Sequence, residues 1–229
     1  MTAAKSTSAY ICILAISLML LTGTRASAQK HYVDSESQDS VAFLRGVELS
    51  IDGVGPLMKA FSDYGNYEGA LRLNLRDKYF PIVELGYGHT NHMEDITGIR
   101  YKTSAPYGKI GADINILRNK HDDYRLYVGG RYAFTSFKYD ISRPELLDPV
   151  WGGVSDYSAS DISANCHWIE IVFGVQAKLW GPVHLGWSAR YKTRISHSEG
   201  DIGEAWYVPG YGESGSSVIG GTFNLIIVI

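Results

Sequence analysis

HTNHMED, residues 89–95, sets His89, His92, Glu94 and Asp95 within seven positions, and imidazole with carboxylate is the donor set of zinc and similar ions. The spacing matches no closed structural zinc site, so the stretch reads as a polar loop and no metal is expected. His197 and Ser198 beside Glu199 hold the residue types of a lipid-modifying hydrolase. A nucleophile, however, needs a base within hydrogen-bond reach and a third group to orient that base, which adjacency in the chain does not provide. No catalytic residue and no cofactor are therefore expected.

The other chemistry-bearing residues are charges at every second position of apolar segments. Glu48, Asp52, Glu68, Glu84, Asp113 and Glu170 share that pattern with Arg72, Lys109, Arg131, Lys178, Arg190 and Lys192. Arg125 and Arg194 follow it too. Such a row makes either a solvated outer face or a mixed-sign network that fills a closed interior, and the elements carrying it decide which.

Those elements are strands. In WIEIVFGVQAKLW, residues 168–180, Ile169, Ile171, Phe173, Val175, Ala177 and Leu179 alternate with residues that include Glu170, Gln176 and Lys178. Alternation with period two belongs to a β-strand. Seven further segments repeat it, around residues 47–52, 66–75, 81–88, 107–116, 125–134, 183–192 and 218–229. The connectors alternate between short ones (Arg76–Lys78, Arg118–Tyr124 and the turn at Gly181–Pro182) and long ones (54–66, 89–103, 140–165 and 196–215). An even number of antiparallel strands about ten residues long, with all long loops at one end, is the pattern of a bacterial outer-membrane barrel. The predicted fold is all-β: an eight-stranded antiparallel up-and-down transmembrane β-barrel.

Composition agrees with this reading. The chain has 229 residues, 45% of them apolar, with 25 glycines and 16 tyrosines, and a net charge of −3 that offers no basic surface to nucleic acid. Lys5, the apolar run Ala9–Leu21 and the Ala26-Ser27-Ala28 site predict a cleaved signal peptide over 1–28. Its loss takes Lys5, Arg25 and Cys12 with it, moving the charge from −3 to −5 and leaving Cys166 alone. Polar, aperiodic residues 29–40 predict a flexible periplasmic leader, and 41–229 the barrel.

With an export signal and one-sided loops, the apolar face is expected to meet lipid and the charged face to fill the lumen. Tyr67, Tyr87, Tyr132 and Tyr191 lie on the apolar face and suit an interfacial belt. Parity puts Trp168 and Trp180 on the lumenal side, and it puts Arg45 awkwardly with Val47, at a rim or a bulge. Outer loops on a rigid barrel are where binding would reside, with Trp151, Trp206, Tyr207 and Tyr211 as candidate contacts. Two alternatives are a lipid-modifying outer-membrane enzyme and a soluble lipocalin-like carrier, which would need a hollow apolar interior.

The runs PIVELGYG (81–88), YKTSAPYGKIGADIN (101–115), RLYVGGRYAF (125–134), DPVWGG (148–153), GWSARYK (186–192) and WYVPGYG (206–212) carry a resemblance. They resemble a family of uncharacterised small outer-membrane β-barrel proteins of the Bacteroidota, known as a domain of unknown function. That family brings no activity, ligand or catalytic residue with it. The expected partners are outer-membrane lipid, the barrel-assembly machinery, and an extracellular ligand or protein at the loops. The expected role is structural or recognition, without catalysis.

Overall fold

The computed structural model describes residues 42–147, 150, 152–198 and 203–229. The proposed signal peptide and leader, Val41, Trp151 and Glu199 lie outside the described residues. Ten strands and one helix follow in chain order: β1 (Leu44–Asp52), α1 (Val54–Phe61), β2 (Tyr64–Leu75), β3 (Tyr79–Met93), β4 (Arg100–Asn115), β5 (Tyr124–Leu147), β6 (Val154–Trp180), β7 (Val183–His197), β8 (Tyr207–Val208), β9 (Gly212–Glu213) and β10 (Ser217–Val228). β1 to β7 and β10 form a closed antiparallel ring in chain order, and β8 and β9 form a separate hairpin. β1 closes the ring on β10, where Val47 and Ile229 exchange both backbone hydrogen bonds at 2.9 and 2.8 Å.

The register fixes the shape. From Ile51, cross-strand partners lead one way through Gly69, Leu85 and Gly108 to Phe134. The other way, they lead through Leu225, Leu185 and Ala177 to Tyr124 on the same strand. The ring is thus staggered by the ten residues from Tyr124 to Phe134, which for eight strands requires a tilt of roughly 40°.

Between the short turns and the middle of the chain's long strands the barrel is inside out. Charged side chains point inward, Glu84 being 1% exposed, while Leu85 beside it is 68% exposed. The exposed belt is bounded by aromatic rings on both sides: Phe43, Tyr79, Tyr124 and Trp180 near the short turns, and Tyr67, Tyr87, Tyr132 and Tyr191 toward the loops. From Tyr124 to Tyr132 is eight residues, about 20 Å along a tilted axis, close to the ~25 Å apolar band of membrane barrels. Trp180 corrects the parity argument: a register shift between Lys178 and Trp180 turns its ring outward. Arg45 sits at the corresponding irregularity in β1, between Leu44 and Gly46.

Past the second aromatic ring the polarity reverses. Outward positions become Ser104, Lys102 and Arg100 on β4, and Ser136, Lys138 and Asp140 on β5. Inward positions become Tyr101, Ala105, Phe137, Tyr139, Ile162, Ala164 and Cys166, which form one buried apolar cluster. The segments 89–103 and 140–165 are consequently strand for most of their length and not loops. β3 and β4 pair as far as Met93 and Arg100, and β5 and β6 as far as Leu147 and Val154. The period of two continues along these strands while the apolar residues change sides, which hides the strands from a search for one constant apolar face.

β1 stops early. The Asp52 carboxylate accepts the amide hydrogens of Val54 (3.1 Å), Gly55 (2.9 Å) and Phe223 (3.1 Å), turning the chain out of the sheet and starting α1. β2 and β10 continue upward, and α1 packs against both, taking the place of the missing half-strand. Val54, Gly55 and Met58 face inward, while Leu57 and Phe61 are exposed.

Candidate functional site: the charged lumen and its aromatic plug

The lumen is crossed by one chain of ion pairs. Near the short turns Arg125 pairs with Glu48, and Arg72 bridges Glu48 (3.5 Å) and Asp113 (2.9 Å). Arg131 then joins Asp113 to Glu84 through contacts of 2.7 and 3.0 Å. At the centre Arg190 meets Glu84 (2.7 Å), Glu68 (3.0 Å) and Glu170 (3.3 Å), and Lys109 meets Glu68 (2.8 Å), Glu170 (3.1 Å) and Glu84 (3.6 Å). Two ring donors complete the carboxylates, Tyr107 Oη to Glu68 at 2.8 Å and Trp168 Nε1 to Glu170 at 2.8 Å. Such a network suits the interior of an eight-stranded barrel, which is just wide enough for its own side chains. Only Arg72 Nε is buried without a hydrogen-bond partner among the described residues.

The sequence-predicted lumen residues converge, with three exceptions, of which Lys192 donates to backbone carbonyls of the segment after β7. Lys178 corrects the expectation: its ammonium is partly exposed at the short-turn rim, 3.3 Å from Asp123, because the strand bulges and ends there. Asp52 serves backbone amides instead of the network. Arg125, Tyr107 and Trp168 belong to the network as much as the predicted residues do.

Glycines give the bulky inward groups their room. The Tyr127 ring lies across Gly174, where a Cβ would stand 2.7 Å from Cε2 and closer still to neighbouring ring atoms, and Arg72 stacks on that ring at 4.8 Å. Gly174→Ala should therefore destabilise the barrel by about 1–3 kcal/mol, read as a fall in the urea midpoint of the folded form.

The short-turn end is closed by Asp77, which accepts from Asn74 at 2.6 Å and lies 3.1 Å from Arg45 and 2.6 Å from His121 Nδ1. Burial opposes its charge, but hydrogen bonds from Asn74 and His121 and the charges of Arg45 and Arg125 hold its carboxyl below the usual value of 3.8. A carboxylate with a lowered folded pKa contributes stability that is complete above the unfolded pKa and is lost as pH falls through the folded one. Wild-type stability should thus drop below pH 3.8 as this carboxylate takes up its proton, and Asp77→Asn should flatten that part of a urea-midpoint titration.

The loop end is closed by the segment after β7. Tyr207 and Tyr211, expected as external contacts, are both fully buried, which corrects that expectation. Tyr207 donates to Asn66 Oδ1 at 3.1 Å and its carbonyl accepts from Tyr101, while Tyr211 packs edge-on against Trp168. Lys192 secures the segment from below, donating to the carbonyls of Gly210 (2.7 Å) and Tyr211 (3.0 Å). From the side, Arg194 pairs with Glu204 and donates to Ser214 at 3.0 Å. Beneath the plug lies a cavity of about 80 Å³, whose lining includes Asp52, Met58, Glu68, Lys109 and Lys192. Trp206 alone of the described candidates remains partly exposed, stacked on His92 at 4.2 Å.

Four of the described residues considered for chemistry have other partners. His92 pairs with Asp63 at 2.9 Å and Glu94 accepts from Thr97 at 2.7 Å. Ser198 Oγ accepts the Asn165 amide at 2.9 Å, and His197 Nε2 stands 3.9 Å from Glu204. Among the described residues no group of three or more His, Cys, Asp or Glu could hold a metal ion.

A wall that is apolar outside over one belt, with a charge-filled interior, defines a small membrane-spanning β-barrel. The chain belongs to the family described as a domain of unknown function, DUF6048, whose model matches residues 7–229. No curated protein matches it. Among solved structures it is similar to the N-terminal β-barrel domain of Pseudomonas aeruginosa OprF, at 12% identity over 80% of this chain and 97% of that one, with a TM-score of 0.35. It is also similar to a major outer membrane protein from Thermus thermophilus, at 12% identity over 80% of this chain and 98% of that one, with a TM-score of 0.43.

Proposed function

We propose that the protein is an exported outer-membrane barrel of a Gram-negative member of the Bacteroidota, with both mature termini in the periplasm. Its role in this reading is non-enzymatic recognition or envelope structure, carried by the loop end. The observation that supports it is the reversal of polarity past Tyr132: the wall continues as a water-facing sheet with its own apolar core, a rigid platform above a blocked lumen. Loops held on rigid scaffolds are where binding concentrates, and Trp206, partly exposed and stacked on His92, is one aromatic surface that this platform presents. A lipid-modifying enzyme is disfavoured because Ser198 and His197 are engaged with Asn165 and Glu204. A soluble carrier is disfavoured because the interior is charged and filled.

Fractionation of the native cells, followed by gel mobility of boiled and unboiled protein, tests this proposal. The protein should partition with the outer membrane and migrate differently once boiled. Recovery in the soluble periplasm with no mobility shift would refute it. A binding role further predicts that Trp206→Ala weakens capture of whichever surface ligand the intact protein retains, while the boiling shift persists.

A further inference from the structure

Positive charge on the water-facing surface is gathered in one sector. α1 packs against β2 so closely that a Cβ on Gly65 would lie 2.8 Å from the Lys59 backbone nitrogen. Gly65 pairs with His89 on β3, Asn91 pairs with Lys102 on β4, and Met93 with Arg100. Lys59, His89, Lys102 and Arg100 thus lie side by side across α1, β3 and β4. Directly beneath them Tyr67 and Tyr87 are cross-strand partners in the aromatic ring that bounds the apolar belt. Asn91 is four residues past Tyr87, so Lys102 stands roughly 10 Å above the belt, within reach of the headgroup layer for a long flexible side chain.

These charges have no internal purpose. In the lumen each arginine meets a carboxylate, and on the neighbouring wall Lys138 meets Asp161 at 3.3 Å. Among the described residues Lys59, Arg100 and Lys102 have no carboxylate within 4.0 Å. Asp140, the cross-strand partner of Lys102, is instead the acceptor of the Asp161 amide at 2.9 Å. Outward positions above the belt elsewhere include the neutral Ser136, Asn165 and Thr193, so the charge is sectoral and not a general feature of the rim.

We infer that Lys59, His89, Lys102 and Arg100 form a binding surface for the phosphate-bearing headgroup of a lipid in the outer leaflet. The acyl chains of that lipid lie along the belt below Tyr67 and Tyr87. Unpaired cations just above an apolar belt are complementary to a group that is anionic and tethered to the bilayer at that height. A free anion would gain nothing from the belt. The inference rests on the membrane-barrel reading.

The full chain in detergent, with phosphatidic acid or phosphatidylcholine added and retention read by native mass spectrometry, tests it. The wild type should retain phosphatidic acid in preference to phosphatidylcholine, the more so at low salt. Lys59→Gln and Lys102→Gln should each weaken that retention by roughly fivefold. Lys138→Gln, at a cation already paired, should leave it unchanged. Equal retention by wild type and the Lys59→Gln/Lys102→Gln double variant, both showing the boiling shift, would overturn the inference while leaving the barrel reading intact. Tight binding of inorganic phosphate without preference for the lipid would overturn it as well. Loss of the boiling shift in the wild type would instead remove the barrel reading on which the inference depends.

Discussion

Replacing Arg190 with methionine should destabilise the barrel by about 3–5 kcal/mol, the largest effect expected of any single lumen substitution. Arg190 is the guanidinium that Glu68, Glu84 and Glu170 share, and all three carboxylates are buried. Methionine preserves much of the volume, so the loss would be electrostatic: three carboxylates held out of water with only Lys109 among them and Arg131 on Glu84. The check is the urea midpoint of the unboiled gel species. A second substitution supplies the control. Glu84→Gln in the Arg190→Met background removes one of the stranded charges, so the double variant should be more stable than Arg190→Met alone. Additive losses would mean that the two residues do not act through each other.

Val128→Arg should cost about 2–4 kcal/mol, because Val128 lies on the outward face of β5 midway between Tyr124 and Tyr132, where a charge meets the middle of the bilayer. Ser136→Arg, on the same face of the same strand but past the second aromatic ring, should cost close to nothing. Both sites are exposed on the exterior of the wall, so a soluble barrel would tolerate the two arginines alike. The comparison is read by refolding each variant into vesicles and measuring its unfolding midpoint.

The belt was legible in the sequence because its chemistry is simple. From Val47 to Ile51, from Tyr124 to Phe134 and from Ile169 to Leu179, apolar residues hold one parity, and that parity is the exterior of the folded wall. The lumen charges were legible for the same reason, as the opposite parity. Their pairing was not, since Arg190 and Glu84 lie 106 residues apart and meet only through the ring's closure and ten-residue stagger. The strand extensions past the belt were missed because Phe137, Tyr139, Ile162 and Ala164 shift the apolar character to the inward parity, which a fixed-face reading takes for a loop. α1 was missed because eight residues within a loop give little periodic signal, and its cause is local: the Asp52 carboxylate accepting the amide hydrogens of Val54 and Gly55. Tyr207 and Tyr211 looked like contact residues because aromatic loop residues suit binding. Their burial depends on the inward-facing Tyr101, Trp168 and Lys192, which the alternation of those strands does not identify as a socket.

One continuous wall faces lipid up to its second aromatic ring and water beyond it. Single cysteines placed at Leu126, Val128, Tyr132, Ser136 and Lys138 of β5, in a Cys12→Ser/Cys166→Ala background refolded into vesicles, test this directly with a membrane-impermeant maleimide. No labelling is expected at the first three positions and full labelling at the last two. Comparable labelling at Val128 and Ser136 would contradict it.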